Sequence, residues 1–224
     1  MSQAAGAEGQ LPPTLPIFPL TGVLLLPGGR LPLNIFEPRY LAMTRDAMAT
    51  HRMIGMIQPT RPENREMAPP LYPMGCAGRI TSFSETDDGR YLIVLTGVSR
   101  FRIAEELTVT TQYRQVIADW EPFRADVNGD DPAQVDRHRL LRVLRDYLDS
   151  QQIPAEWRAI ERAPSDALVS SLAMVCPFSP SEKQALLEAP DLAERSRVMT
   201  ALMEMAVLNR RAAGITDLPK GPLH

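Results

Sequence analysis

The chain of 224 residues is 44% hydrophobic and 23% charged, which excludes wholesale disorder and suits one large domain or two small ones. Lysine and arginine number 24 against 27 acidic residues, and the net charge of −3 argues against holding nucleic acid by charge alone. Cys76 and Cys176 lie too far apart in sequence to make a disulfide framework, and MSQAAGAEGQ has neither the basic start nor the apolar centre of a secretory signal. No apolar run approaches the ~20 residues of a membrane span, so a soluble, cytoplasmic protein is expected.

Residues 1–13 read as a flexible tail. From Thr14 to Phe123 short β-branched or alternating runs are broken by glycine and by an unusual number of prolines, 21 in the whole chain. Strands are expected at Leu15–Leu20, Arg30–Ile35, Met53–Gln58, Gly75–Glu85, Arg90–Thr96, Phe101–Glu106 and Tyr113–Trp120. Thr86-Asp87-Asp88-Gly89 has the aspartate–glycine chemistry of a hairpin turn. One helix interrupts the strands, from Pro38 to about Ala49. Proline suits its first position, Glu37 suits its positive end, and Phe36 with Leu41 has the spacing of a hydrophobic staple.

Asp126 to Pro132 is polar and turn-rich, and the expected domain boundary is a linker over 124–132. Beyond it the apolar period becomes helical, and residues 133–211 are expected to form one helical subdomain. Leu140, Val143, Leu144, Tyr147 and Leu148 mark the apolar face of its first helix. Ser165 is positioned to start a helix that ends before Pro177. Ser179-Pro180-Ser181-Glu182 combines a capping box with a proline at the first helical position. Asp191 and Glu194 open a last helix with Met199, Leu202, Met203 and Ala206 along one side. Residues 212–224 read as a second flexible tail.

Three blocks carry a resemblance. LPIFPL (15–20) with VLLLPGGRLPLNIFEPRY (23–40), Gly75–Ile80 followed by LIVLTGVSRFR (92–102), and SPSEKQALLEAPDLAERSRVMTALME (179–204) occur in that order. Together they resemble the N-terminal domain of the Lon ATP-dependent protease, a domain also found alone in small bacterial proteins. The resemblance implies an α+β fold, a PUA-like pseudo-barrel of short strands with one inserted helix, followed by a C-terminal helical bundle. It also implies protein recognition, with unfolded or client polypeptides as partners and Lon protease itself as a further one.

The residues needed for Lon's own chemistry are not recognisable. No phosphate-cradling G-x-x-x-x-G-K-[ST] string occurs, and Gly28-Gly29-Arg30 has neither its spacing nor its lysine. The peptidase serine motif is absent, and Lys183, beside Glu182 on a helix, reads as an exposed, solvated lysine. No enzyme activity, cofactor or metal is expected. Cys76, Cys176 and His51 lack metal-ligand spacing, and both cysteines read best as buried small hydrophobic side chains. Glu37 and Arg39 read as a pair fixing the strand-to-helix turn. Glu105 and Glu106, adjacent on a strand, face opposite ways. Asp136, Arg137, Arg139, Arg142, Arg145 and Asp146 read as a solvated helix face.

The expected function is therefore a non-catalytic module that binds exposed apolar segments of client proteins. The alternative is RNA or small-ligand binding through the barrel, for which Arg30, Arg39, Arg79, Arg90, Arg100 and Arg102 would have to converge. Client binding is placed on the long connection Pro59–Pro73, through Met67, Leu71, Tyr72 and, just beyond it, Met74. Methionine adapts to irregular apolar partners and tyrosine offers broad contact at modest entropic cost.

Overall fold

The computed structural model describes residues 11–61, 68–127 and 135–216. These residues form strands β1 (Thr14–Pro19), β2 (Arg30–Ile35), β3 (Met53–Ile57), β4 (Met74–Glu85), β5 (Tyr91–Glu106) and β6 (Gln115–Asp119), with helix α1 (Pro38–Ala49) between β2 and β3. A 3₁₀ segment over Glu121–Val127 follows, then α2 (Arg137–Gln151), α3 (Trp157–Arg162), α4 (Ser165–Val175), α5 (Pro180–Glu188) and α6 (Leu192–Thr216). The chain is α+β, and it divides into two compact units. One holds residues 1–130 and 170–188, the other 131–169 and 189–224.

In the first unit the strand order is β2-β5-β4-β3-β1-β6, and β5 pairs with β6 as well, so five strands close a ring. β5 makes this possible by its length. Its first half, Tyr91–Thr96, takes β2 on one edge, while Arg102–Glu106 offers the same strand to β6. β1 and β3 run parallel and every other pairing is antiparallel. The core draws on each strand of the ring: Leu15 and Ile17, Met53 and Ile57, Ala77, Phe101, Val116 and Ala118. β2 lies outside the ring as an edge strand, where Pro32 removes a donor without breaking a central ladder.

β5 is one strand where two had been expected. Gly97, Ser99 and Arg100, which lie between the two expected strands, interrupt the apolar alternation without interrupting the strand. Each is absorbed locally. The Ser99 hydroxyl donates to the Arg100 carbonyl at 2.9 Å, and the Arg100 guanidinium is paired with Asp126. A Cβ on Gly97 would stand 2.0 Å from the Leu26 carbonyl oxygen, so only glycine lets the 20–29 segment cross the strand there. Two backbone hydrogen bonds seal the crossing, Gly28 N–H to the Gly97 carbonyl at 2.9 Å and Gly97 N–H to the Gly29 carbonyl at 2.8 Å.

The hairpin turn forms as expected, with Gly89 at φ +78° and Thr86 N–H donating to the Arg90 carbonyl. α1 spans the expected residues, but its staple does not form as expected: Phe36 is 63% exposed. Glu37 makes no capping bond and pairs with Arg39 at 2.8 Å, as the reading of a turn-fixing pair proposed. Leu11–Pro13, expected in the tail, are tied down. Leu11 packs on the core, the Trp120 indole donates to the Pro12 carbonyl, and Ala118 N–H donates to the Pro13 carbonyl.

α5 forms with its capping box: Ser179 N–H donates to the Glu182 carboxylate at 2.7 Å, and Glu182 N–H returns to the Ser179 hydroxyl at 3.4 Å. It belongs to the first unit, unlike the contiguous helical subdomain expected over 133–211. The reason lies in two buried polar side chains. Lys183 donates to the carbonyls of Gly22 at 2.9 Å and Met174 at 3.3 Å. Gln184 receives the Gln58 amide at 3.2 Å and donates to the Met74 carbonyl at 3.2 Å. Lys183 is thus buried, contrary to the solvated position expected, and desolvation lowers its pKa below the usual lysine value. Helix periodicity shows which face is covered and carries no information about which unit covers it.

In the second unit α2 buries the expected face, Leu140, Val143, Leu144, Tyr147 and Leu148, and packs on α6, whose Met199, Met203 and Val207 are buried. Asp136 caps α2 by accepting from Arg139 N–H at 3.0 Å, and Arg139 bridges to Glu204 at 3.1 Å. α6 continues through Thr216, past the expected start of the tail. α3 has no buried residue and no period to reveal it.

Candidate functional site

The described ends of the segment expected to bind clients, residues 59–61 and 68–73, continue the pairing of β3 with β4. Pro59 and Leu71 form an antiparallel bridge, Tyr72 N–H donates to the Gln58 carbonyl at 2.9 Å, and Thr60 N–H donates to the Pro70 carbonyl at 2.9 Å. Leu71 is half-buried and packs against the core of the ring. Tyr72 and Met74 are half-buried, and Met74 opens β4 opposite Arg102. Met67 lies outside the described residues.

A second apolar surface was not singled out from the sequence. In the first unit Phe36 is 63% exposed, Leu92 46% and Phe83 40%. They come from the neighbouring ends of three adjacent strands. Leu92 on β5 stands opposite Asn34 on β2 and Ser84 on β4, and Phe36 follows β2 directly. Strand alternation explains Leu92: Tyr91, Ile93 and Leu95 fill the buried face, which leaves Leu92 on the open one. Phe83, paired with Ile93, stands on the other face and leans on Tyr91 with ring centroids 4.9 Å apart, so the open face carries Phe36 and Leu92. Beside Leu92 an open cleft of about 360 Å³ is lined by Asn34, Thr86, Asp87, Asp88 and Arg90. The signal was present in the sequence as Phe36-Glu37-Pro38 and as the second residue of a strand. Phe36 carries the spacing of a staple, and Leu92 falls inside the expected strand Arg90–Thr96 with nothing in the pattern to mark its face.

The six arginines do not act as one free cationic set. Arg39 pairs with Glu37, Arg90 with Asp88 at 2.8 Å, and Arg100 with Asp126 at 2.7 Å. Arg79 donates to the His51 carbonyl at 3.2 Å. Asp126, part of the linker expected from the sequence, has its side chain buried with that of Arg100. Glu106 is engaged by Arg114 at 2.6 Å. Among the described residues no three histidine, cysteine or acidic side chains cluster as a metal site. Cys76 and Cys176 are buried thiols, and burial pushes Cys176 up to about 11, where it is a poor nucleophile near neutrality. Among the described residues no helix is long and apolar enough to cross a membrane.

Residues 14–205 match the profile of the ATP-dependent protease La (LON) substrate-binding domain. The chain is 26% identical over 195 residues to Lon protease 2 of Myxococcus xanthus, a match covering 86% of this chain and 24% of that protein. It is 27% identical over 191 residues to Lon protease of Flavobacterium johnsoniae, covering 84% of this chain and 23% of that one. It therefore spans about a quarter of the length of these curated relatives. Its fold is similar to the crystal structure of a Lon N-terminal domain protein from Xanthomonas campestris, with TM-score 0.60, 26% identity, and coverage of 84% of this chain and 97% of that one. It is also similar to the N-terminal domain of Mycobacterium avium complex Lon protease, with TM-score 0.61, 19% identity, and coverage of 85% and 98%.

Proposed function

Because this chain belongs to the Lon substrate-binding domain family, we propose that it is a non-catalytic module that recognises exposed apolar segments of client polypeptides. The observation that carries this reading is the exposure of Phe36 and Leu92 at the neighbouring ends of β2 and β5. Large apolar side chains grouped on a surface are worth covering, and an unfolded chain supplies the matching surface without a fixed sequence. Tyr72 and Met74, with Met67, are proposed as a further contact, and Leu71 supports that segment by packing inward. The five-strand ring supports the description of this unit as a PUA-like pseudo-barrel, and the helices of the second unit that of a bundle.

Apolar recognition and phosphate recognition differ in their response to salt. Titration of a fluorescently labelled, reduced and carboxymethylated protein is expected to give saturable binding that changes little between about 0.05 and 0.5 M salt. A single-stranded RNA titrated in parallel is expected to bind weakly and to be lost over the same range. Tight, salt-sensitive RNA binding without binding of the unfolded protein would replace this reading with the RNA one. A functional link with Lon protease is part of the proposal, and co-elution of the chain with purified Lon protease is its direct test.

A further inference from the structure

A separate cavity of about 300 Å³ opens in the first unit, between the start of β1, the C-terminal end of α1 and the approach to β6. Pro12, Pro13 and Pro16 give it rigid apolar walls, and Asp46, His51 and Tyr113 line it with polar groups. The Tyr113 hydroxyl donates to Asp46 Oδ2 at 2.7 Å. Burial first, then this bond and the charge of Asp46, push the Tyr113 phenol up to about 12, so it stays a donor and fixes the carboxylate in place. Met53 N–H donates to His51 Nδ1 at 3.1 Å, which puts the ring proton on Nε2. Burial, and secondarily Arg79, lower the His51 pKa, so the ring is neutral near pH 7. The cavity is thus anionic. Its one formal charge among the lining residues is Asp46, on the last turn of α1, where the helix dipole adds partial negative charge. Arg45, the nearest basic residue in sequence, is engaged with the Tyr91 hydroxyl.

We propose that this cavity receives a cationic side chain, arginine or lysine, of a bound polypeptide. The proline walls pack on the aliphatic stem and Asp46 takes the charged head, the division of labour that long basic side chains favour. The inference rests on the client-binding reading for its source of arginine or lysine, and it adds a positional preference that apolar contacts alone do not give.

The test uses the full chain and a capped hexapeptide with one central arginine, followed by NMR, against the same peptide with norleucine in its place. The arginine peptide is expected to move the amide signals of Ala47, Thr50, His51 and Gln115 and to bind roughly tenfold tighter than the norleucine peptide. Asp46→Asn keeps an acceptor for the Tyr113 hydroxyl and is expected to reduce the arginine peptide to the norleucine level. If that variant does not fold, loss of the arginine preference in the native chain between about 0.05 and 0.5 M salt carries the same information. Equal binding of the two peptides, or shifts confined to other residues, overturns the inference. Cavity binding of the arginine peptide by a chain that does not hold unfolded protein overturns only the client reading.

Discussion

The guanidinium of Arg100 and the carboxylate of Asp126 are joined by hydrogen bonds of 2.7 and 2.9 Å, with both side chains only 4% exposed. The pair connects the middle of β5 to the 3₁₀ segment after β6. Arg100 also donates to the Leu187 carbonyl at 3.2 Å and lies 5.1 Å from the centre of the Phe123 ring. Asp126→Ala leaves a buried guanidinium without its counter-charge and is expected to cost about 3–5 kcal/mol in urea unfolding. The double variant Arg100→Met with Asp126→Leu is expected to lose less than Asp126→Ala alone, because no charge is then stranded.

Gly97→Ala is expected to cost about 3 kcal/mol, since its new methyl meets the Leu26 carbonyl, a backbone atom that cannot swing away. Gly89→Ala places a methyl in open space at φ +78° and is expected to cost only about 1 kcal/mol. Matched urea denaturation curves check the contrast. Equal losses would mean that the 20–29 segment yields and does not clamp the strand.

His51 gives the stability a pH dependence of known sign. Its folded-state pKa is lowered, so the unfolded chain takes up the proton first as pH falls below about 6.5. Stability is expected to be full above that value and to decline towards the lowered pKa, by at most about 1.4 kcal/mol per pH unit. His51→Gln is expected to flatten the pH 7 to 5 segment of a plot of unfolding free energy against pH.

How much of this was legible beforehand depends on the kind of signal. Proline and glycine punctuation placed β2 and α1 at their observed residues, and the capping box at Ser179 marked the start of α5. These signals are local. Lys183 and Asp126 are misplaced by the sequence because a charged side chain reads as solvated until its partners are known, and Gly22 lies 161 residues from Lys183 and Arg100 26 from Asp126. The exposure of Phe36 was hidden for a similar reason. An aromatic residue beside a helix start has the same spacing whether it packs down or stands out. The cavity at Asp46 assembles residues from Pro12 to Gln115, and no sequence window contains them together.

Leu71 and Tyr72 separate support from contact within one segment. Leu71→Ser removes an apolar side chain that packs on the core and is expected to cost about 2 kcal/mol, visible as a lowered melting temperature. Tyr72→Ser is expected to weaken client binding several-fold with a smaller effect on melting. The reverse pattern would place the binding surface elsewhere.

The most direct measurement is the affinity of the double variant Phe36→Ser with Leu92→Ser for a reduced, carboxymethylated protein, followed by fluorescence anisotropy beside a thermal melt. Both side chains are exposed, so the melt is expected to stay within a few degrees of the native chain. Affinity is expected to fall about tenfold or more as the apolar contact is removed. Unchanged affinity with an unchanged melt would contradict the assignment of client recognition to this surface.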